Sequence, residues 1–197
     1  MDQRLIEEAK AYVLRLFEKD RGGHDAAHTL RVYRNVLWIA RREGACDREA
    51  VALAALLHDA DDPKLFQTEN FANARAFLTS RGVAPERIDF ICSIIASVSF
   101  SKNKNTPPES REAGICRDAD RLDAMGAVGI GRTFAFGGAH GRSMEDSVCH
   151  FREKLLLLKD GLCTAAAREI GESRHAFLEA FLDEFRRETE GEAGEDG

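Results

Sequence analysis

The 197 residues can bury a sizeable core without disulfide or metal staples. Hydrophobic residues at 44% and charged residues at 31% exclude a largely disordered chain, and 4 prolines among many Ala, Leu, Glu and Arg favour helix. The net charge of -6 argues against binding polymeric nucleic acid, and no apolar run approaches the ~20 residues that span a bilayer.

The first element is an amphipathic helix with Leu5, Ile6, Ala9, Val13, Leu16 and Phe17 at steps of three and four. Asp20-Arg21-Gly22-Gly23 breaks it. A second helix is expected from near Asp25 to about Arg42, with Val32, Val36, Ile39 and Ala40 on its apolar stripe. His28, four residues before Val32, shares that inward face. Asp47 reads as the N-cap of a third helix whose run Val51-Ala-Leu-Ala-Ala-Leu-Leu is apolar all round, hence central and buried. It ends in His58-Asp59-Ala60-Asp61-Asp62-Pro63. Asn70 to Ser80 predicts a shorter helix, and Pro85 opens the next, which buries Ile88, Ile91 and Ile95. Ser97 to Pro108 reads as a loop long enough to act as a lid or binding segment. A helix from Ala113 to about Met125 carries Asp118-Ala-Asp120-Arg-Leu-Asp123. Gly126, Gly129 and Gly131 follow in a helical pattern that Gly137-Gly138 ends, and their spacing suggests close helix packing. After a loop from His140 to Asp146, helices are expected over Val148–Lys159 and Thr164–Glu188, the last with a stripe of Phe177, Leu178, Phe181, Leu182 and Phe185. Period-2 alternation is absent, so the fold class is all-α, a single helical bundle over residues 1–189 with a disordered acidic tail at 190–197. Five scattered cysteines without a C-x-x-C pair read as reduced thiols, and the acidic N-terminus differs from a secretion signal, so a cytoplasmic protein with no membrane partner is expected.

Chemistry concentrates in His28, the pair His58-Asp59 and the Asp118/Asp120 cluster. Imidazole and carboxylate together make a mixed site for a divalent ion. The end of a helix lets His58 and Asp59 turn toward one ion although adjacent helical residues diverge by ~100°. Burying two histidines and two carboxylates without partners would be strongly destabilising, and a bound cation offsets that cost.

The ordered pattern H…HD…D, in HDAAHTLRVYRN, HDADDPK and DADRLDAMGAVGIGRTFAFGG, resembles the HD-domain metal-dependent phosphohydrolases, an all-helical superfamily, over roughly residues 5 to 185. The resemblance implies metal ligation by His28, His58, Asp59 and Asp120. Asp120 is preferred to Asp118 because it precedes Arg121-Leu122, and Asp118 is expected to hold a ligand or water by a hydrogen bond. Asp62, four positions after His58, falls where related hydrolases often carry an acidic residue; with Asp61 it is expected to orient water or accept its proton, and His24 is a further outer acid. Lys64, Lys102, Arg132 and Lys154 are the candidate substrate cations.

The subgroup it is most similar to implies hydrolysis of (deoxy)nucleoside triphosphates to monophosphate and pyrophosphate by water activated at the metal. A phosphomonoesterase or cyclic-nucleotide phosphodiesterase is the nearest alternative, and a di-iron oxygenase or a non-catalytic helical binding protein the more distant ones. The expected cofactor is Mn²⁺ or Mg²⁺, with Fe²⁺, Co²⁺ or Ni²⁺ as alternatives. The expected partner is a small phosphorylated substrate, and the long last helix offers a face for a homodimer.

Overall fold

The computed structural model describes residues 1–18, 26–63, 65–99, 103 and 106–190. The step of three and four residues closes α1 (Gln3–Leu16) with Ile6, Ala9 and Val13 inward, and the Asp2 carboxylate accepts the backbone N–H groups of Arg4 and Leu5. The second element, α2 (Ala26–Glu43), buries His28, Val32, Val36 and Ile39 on one face. Its expected start near Asp25 lies outside the described residues. In α3 (Arg48–Leu57) every residue from Ala50 to Leu57 is buried, and Asp47 caps it by accepting from Ala50 N at 3.0 Å. Each leucine of that run contributes on the order of 1.5–3 kcal/mol by leaving water, enough to carry a polar cluster at the helix end.

Residues Asn70 and Phe71 both adopt left-handed backbone, with φ of 53° and 58°, so α4 (Ala72–Ser80) begins two residues later than expected. Pro85 opens α5 (Pro85–Val98) in its first turn. Ser110 caps α6 (Arg111–Asp123) by accepting from Ala113 N. There follow α7 (Gly126–Ala139), α8 (Met144–Glu153), a 3-10 turn over Leu155–Gly161, and α9 (Ala165–Glu190).

Two expectations change here. The single helix over Val148–Lys159 is two elements: Ser143 caps an earlier start, and Lys154, at φ −136° and ψ −56°, breaks the helix before the 3-10 turn. The glycines after α6 do fall in a helix, but of the three only Gly126 lies against another helix, where a Cβ would meet Arg174 of α9 at 3.1 Å. Gly126 has φ +67°, and a Cβ on Gly129 would lie 2.2 Å from the Ala124 carbonyl oxygen, while Gly131 faces open space.

The buried α3 packs against α1, α2, α5 and α6, and α2 lies along α6 in the most extensive helix pair. Asn35 Nδ2 donates to the Ala119 carbonyl at 3.0 Å and fixes that pairing beside the acidic cluster. The last helix, α9, crosses α6, α7, α2 and the 3-10 turn. Its stripe is half used: Leu178 is buried, Phe181 meets Phe134 edge-on and Phe185 stacks with it, whereas Phe177 is 52% exposed. Among the described residues there is no strand, and no helix is long and apolar enough to cross a membrane. The result is one all-α domain in which the first turn of α2, the end of α3 and the last turns of α6 meet.

Candidate metal centre

His28 enters this meeting point from α2, His58 and Asp59 from the end of α3, and Asp120 from α6. His58, the C-cap, keeps right-handed helical backbone (φ −61°, ψ −32°); in the turn that follows, where Ala60 N donates to the Leu57 carbonyl at 3.0 Å, Asp59 Oδ2 lies 3.2 Å from His58 Nε2. His28 Nε2, His58 Nε2 and an Asp120 carboxylate oxygen lie within 4.8 Å of one another. The two Nε2 atoms are 3.2 Å apart, and Asp120 Oδ1 is 3.4 Å from His28 and 3.9 Å from His58. Asp59 Oδ2 joins them at 3.5 Å from His28 and 3.2 Å from His58.

These separations fit a common cation. Two ligand atoms each ~2.1 Å from one ion lie about 3.0 Å apart at right angles and about 4.2 Å apart in line. Both imidazoles are also oriented for it. His58 Nδ1 donates to the Ala55 carbonyl at 2.9 Å and His28 Nδ1 donates to Asp123 at 2.7 Å, which leaves both Nε2 lone pairs converging. Two imidazoles at this distance beside two carboxylates make a concentration of negative charge that a cation or a proton neutralises. The His58 imidazole registers the same demand: burial alone would lower its pKa, but the Asp59 and Asp120 carboxylates reverse this and raise it to about 9. The His28, His58 and Asp59 side chains are nearly buried, whereas Asp120 is 27% exposed, so the centre opens to solvent on the α6 side.

The remaining expected residues divide. Asp62 stands in the turn after Asp59, where its N–H donates to the Asp59 carbonyl at 3.1 Å and its own carbonyl accepts from Leu65 and Phe66. Asp61 points elsewhere: its carboxylate accepts from Asn73 N at 2.9 Å and Ala74 N at 3.0 Å, capping α4, while Asn73 Nδ2 donates to the Ala60 carbonyl. The reason is the strained Asn70-Phe71 entry, which offers α4 no side-chain cap of its own. Arg132 pairs with Asp123 at 2.7 Å. Lys154 sits at the break between α8 and the 3-10 turn, near His150. His24, Lys64 and Lys102 lie outside the described residues.

Asp118 is a correction. Rather than supporting a ligand, its buried carboxylate accepts from Cys163 N, Thr164 N and Thr164 Oγ1, and so holds the start of α9. Asp123 is the residue that sequence reasoning passed over. It is buried, and it binds His28, Arg31 and Arg132 together. Burial would raise its pKa, but those three partners hold it well below the ordinary carboxylate value. Its only signal in the sequence is its place one turn after Asp120, on the same side of α6.

The HD domain family matches residues 25–125, a span that contains all four converging residues. The chain belongs to the HD domain family. It is 36% identical over 193 residues to the uncharacterised protein YpgQ of Bacillus subtilis (strain 168), covering 94% of each chain. Among solved structures it resembles Bacillus subtilis YpgQ in complex with ADP, at TM-score 0.81 and 33% identity over 94% of this chain and 98% of that one. It also resembles an HD-superfamily hydrolase from Bacillus thuringiensis, at TM-score 0.80 and 36% identity over 97% of this chain and 100% of that one. Family and fold make the chain a metal-dependent hydrolase of the HD superfamily.

Proposed function

We propose that the chain hydrolyses (deoxy)nucleoside triphosphates to monophosphate and pyrophosphate, with Mn²⁺ or Mg²⁺ held by His28, His58, Asp59 and Asp120. The convergence of four donor atoms with both histidine tautomers fixed carries the metal reading. The structure of YpgQ with ADP supports a nucleotide substrate.

A bound divalent cation supplies Lewis acidity toward a phosphoryl oxygen and lowers the pKa of nearby water. The chain's own groups do the rest. Asp59 and His58 leave one helix end together, so their relative position is set by the α3 core. Asp120 faces the open side, where the phosphate chain enters. Asp62, next in the turn after Asp59, orients the attacking water or takes its proton. Transfer of a phosphoryl group needs chiefly positioning and charge stabilisation, and Arg132, Lys64, Lys102 and Lys154 are the cations proposed for that task, with His24 as an outer acid. We place Asp61 as the cap that keeps this turn against α4.

The test is metal-stripped protein incubated with ribo- and deoxynucleoside triphosphates, with Mn²⁺ or Mg²⁺ restored, and products resolved by phosphorus NMR. Monophosphate plus pyrophosphate, lost in Asp59→Ala, is the expected result. Orthophosphate alone would move the reaction to a phosphomonoesterase at the same centre.

A further inference from the structure

Four hydrogen bonds converge on the Asp123 carboxylate at the closed end of the metal centre. Oδ2 takes His28 Nδ1 at 2.7 Å, Arg132 Nη1 at 2.7 Å and Arg31 Nη2 at 3.1 Å; Oδ1 takes Arg31 Nε at 2.7 Å. We propose that Asp123 is a positioning residue for the metal centre: it holds the His28 proton on Nδ1 and the ring in the orientation that offers Nε2 to the cation. The inference rests on the metal reading above.

Competition for that proton is what gives Asp123 its work. A neutral imidazole carries its single proton on whichever nitrogen meets the better acceptor. On the Nε2 side stand two carboxylates, Asp59 at 3.5 Å and Asp120 at 3.4 Å, and either would draw the proton toward the cation's place. Asp123 outcompetes them by its shorter contact and by burial, since its side chain is 3% exposed. The two arginines hold its remaining lone pairs, so the carboxylate can neither rotate away nor turn toward Nε2. Its backbone is fixed as well: Arg174 of α9 donates to the Leu122 carbonyl, and the tight turn at Gly126 follows immediately. The three partners come from α2 and α7, which explains why a carboxylate is needed at the last residue of α6, where those helices meet it.

Metal-free protein is titrated with Mn²⁺ by calorimetry. Asp123→Asn is expected to weaken affinity ~10–100-fold while the melting curve stays cooperative, and Asp123→Glu to recover part of the loss. Long-range proton–nitrogen spectra of the metal-free wild type, with His28 identified by its loss in His28→Gln, are expected to show the proton on Nδ1. That second measurement decides even where an Asp123 variant does not fold. A His28 proton on Nε2, or unchanged Mn²⁺ affinity in folded Asp123→Asn, overturns the inference and leaves the metal reading standing. Failure of the wild type to bind Mn²⁺ removes both.

Discussion

Two positions along α6 separate Asp118 from Asp120, a rotation of about 200°, and the two carboxylates therefore serve opposite faces of the helix. Asp118 looks toward α9, fully buried, accepting two backbone N–H groups and the Thr164 hydroxyl. Asp120 looks toward the histidines and is partly open to solvent. Their substitutions should separate cleanly. Asp118→Ala strands buried donors at the start of α9 and is expected to cost about 2–3 kcal/mol of stability while leaving Mn²⁺ affinity within a few fold. Asp120→Asn is expected to change the stability of metal-free protein by no more than ~0.5 kcal/mol and to abolish tight Mn²⁺ binding. Urea unfolding and calorimetry on the same two variants check both arms. The resemblance, through Arg121-Leu122 after Asp120, chose Asp120; helix geometry by itself could not make this distinction. An Asp-x-Asp pair on a helix shows that the two residues face apart; which face meets the histidines depends on α2 and α9, which lie far away in the chain. Asp123 escaped for the same reason, because its partners Arg31 and Arg132 are brought to it only by packing.

Helix ends carry most of the polar structure at the level of elements. Asp47 caps α3 through Ala50 N and also pairs with Arg87 of α5, whose Nη2 donates to Oδ1 at 2.8 Å. The Arg87 guanidinium is the largest influence on this carboxyl and lowers its pKa from 3.8 to about 2 despite partial burial. A carboxylate with a depressed folded pKa contributes stability that is complete above its ordinary value and is lost as pH falls through the folded one. Asp47→Asn keeps an N-cap acceptor but removes the charge. It is expected to lower stability by up to about 1 kcal/mol at pH 7, since the pair is a third exposed, and the difference from wild type should shrink as pH falls from about 4 toward 2. Denaturant unfolding at a series of pH values measures this; a difference independent of pH would rule out the charge as its origin. Helix starts such as the Asp47 cap and Pro85 in the first turn of α5 were legible because each is local chemistry next to a periodic apolar run. The break at Lys154 was not. Leu155 to Leu158 are four consecutive leucines and carry no period, so only the fold decides that Leu155 and Leu158 go inward while Leu157 stays 45% exposed. The glycines after α6 were read correctly as lying in a helix, but their spacing does not say which of them meets another helix; only Gly126 does, against Arg174.

Over the whole molecule, the converging ligands tie three helices that are distant in sequence. His28, His58-Asp59 and Asp120 are separated by 30 and 61 residues, counting from His28 to His58 and from Asp59 to Asp120, so the unfolded chain does not hold them together. A cation bound there binds the native state and not the unfolded one, and mass action makes its binding a stabilisation of the fold. At a free concentration 100 times the dissociation constant this is about 2.7 kcal/mol. For a domain of this length each kcal/mol moves the melting temperature by roughly 2–4 °C, so saturating Mn²⁺ should raise it by roughly 5–11 °C. The increment should grow with the logarithm of the metal concentration, vanish on chelation, and be absent in Asp120→Asn, whose metal-free melting point stays near the wild type. Asp47→Asn, remote from the centre, should keep the full increment from its lower starting point. Differential scanning calorimetry of the three proteins, with and without Mn²⁺, makes the comparison. A rise shared equally by Asp120→Asn would mean that the ion acts at the acidic surface. A rise confined to proteins with Asp120 would locate it where α2, α3 and α6 meet, and would make the metal centre a cross-link of the fold as well as the seat of its chemistry.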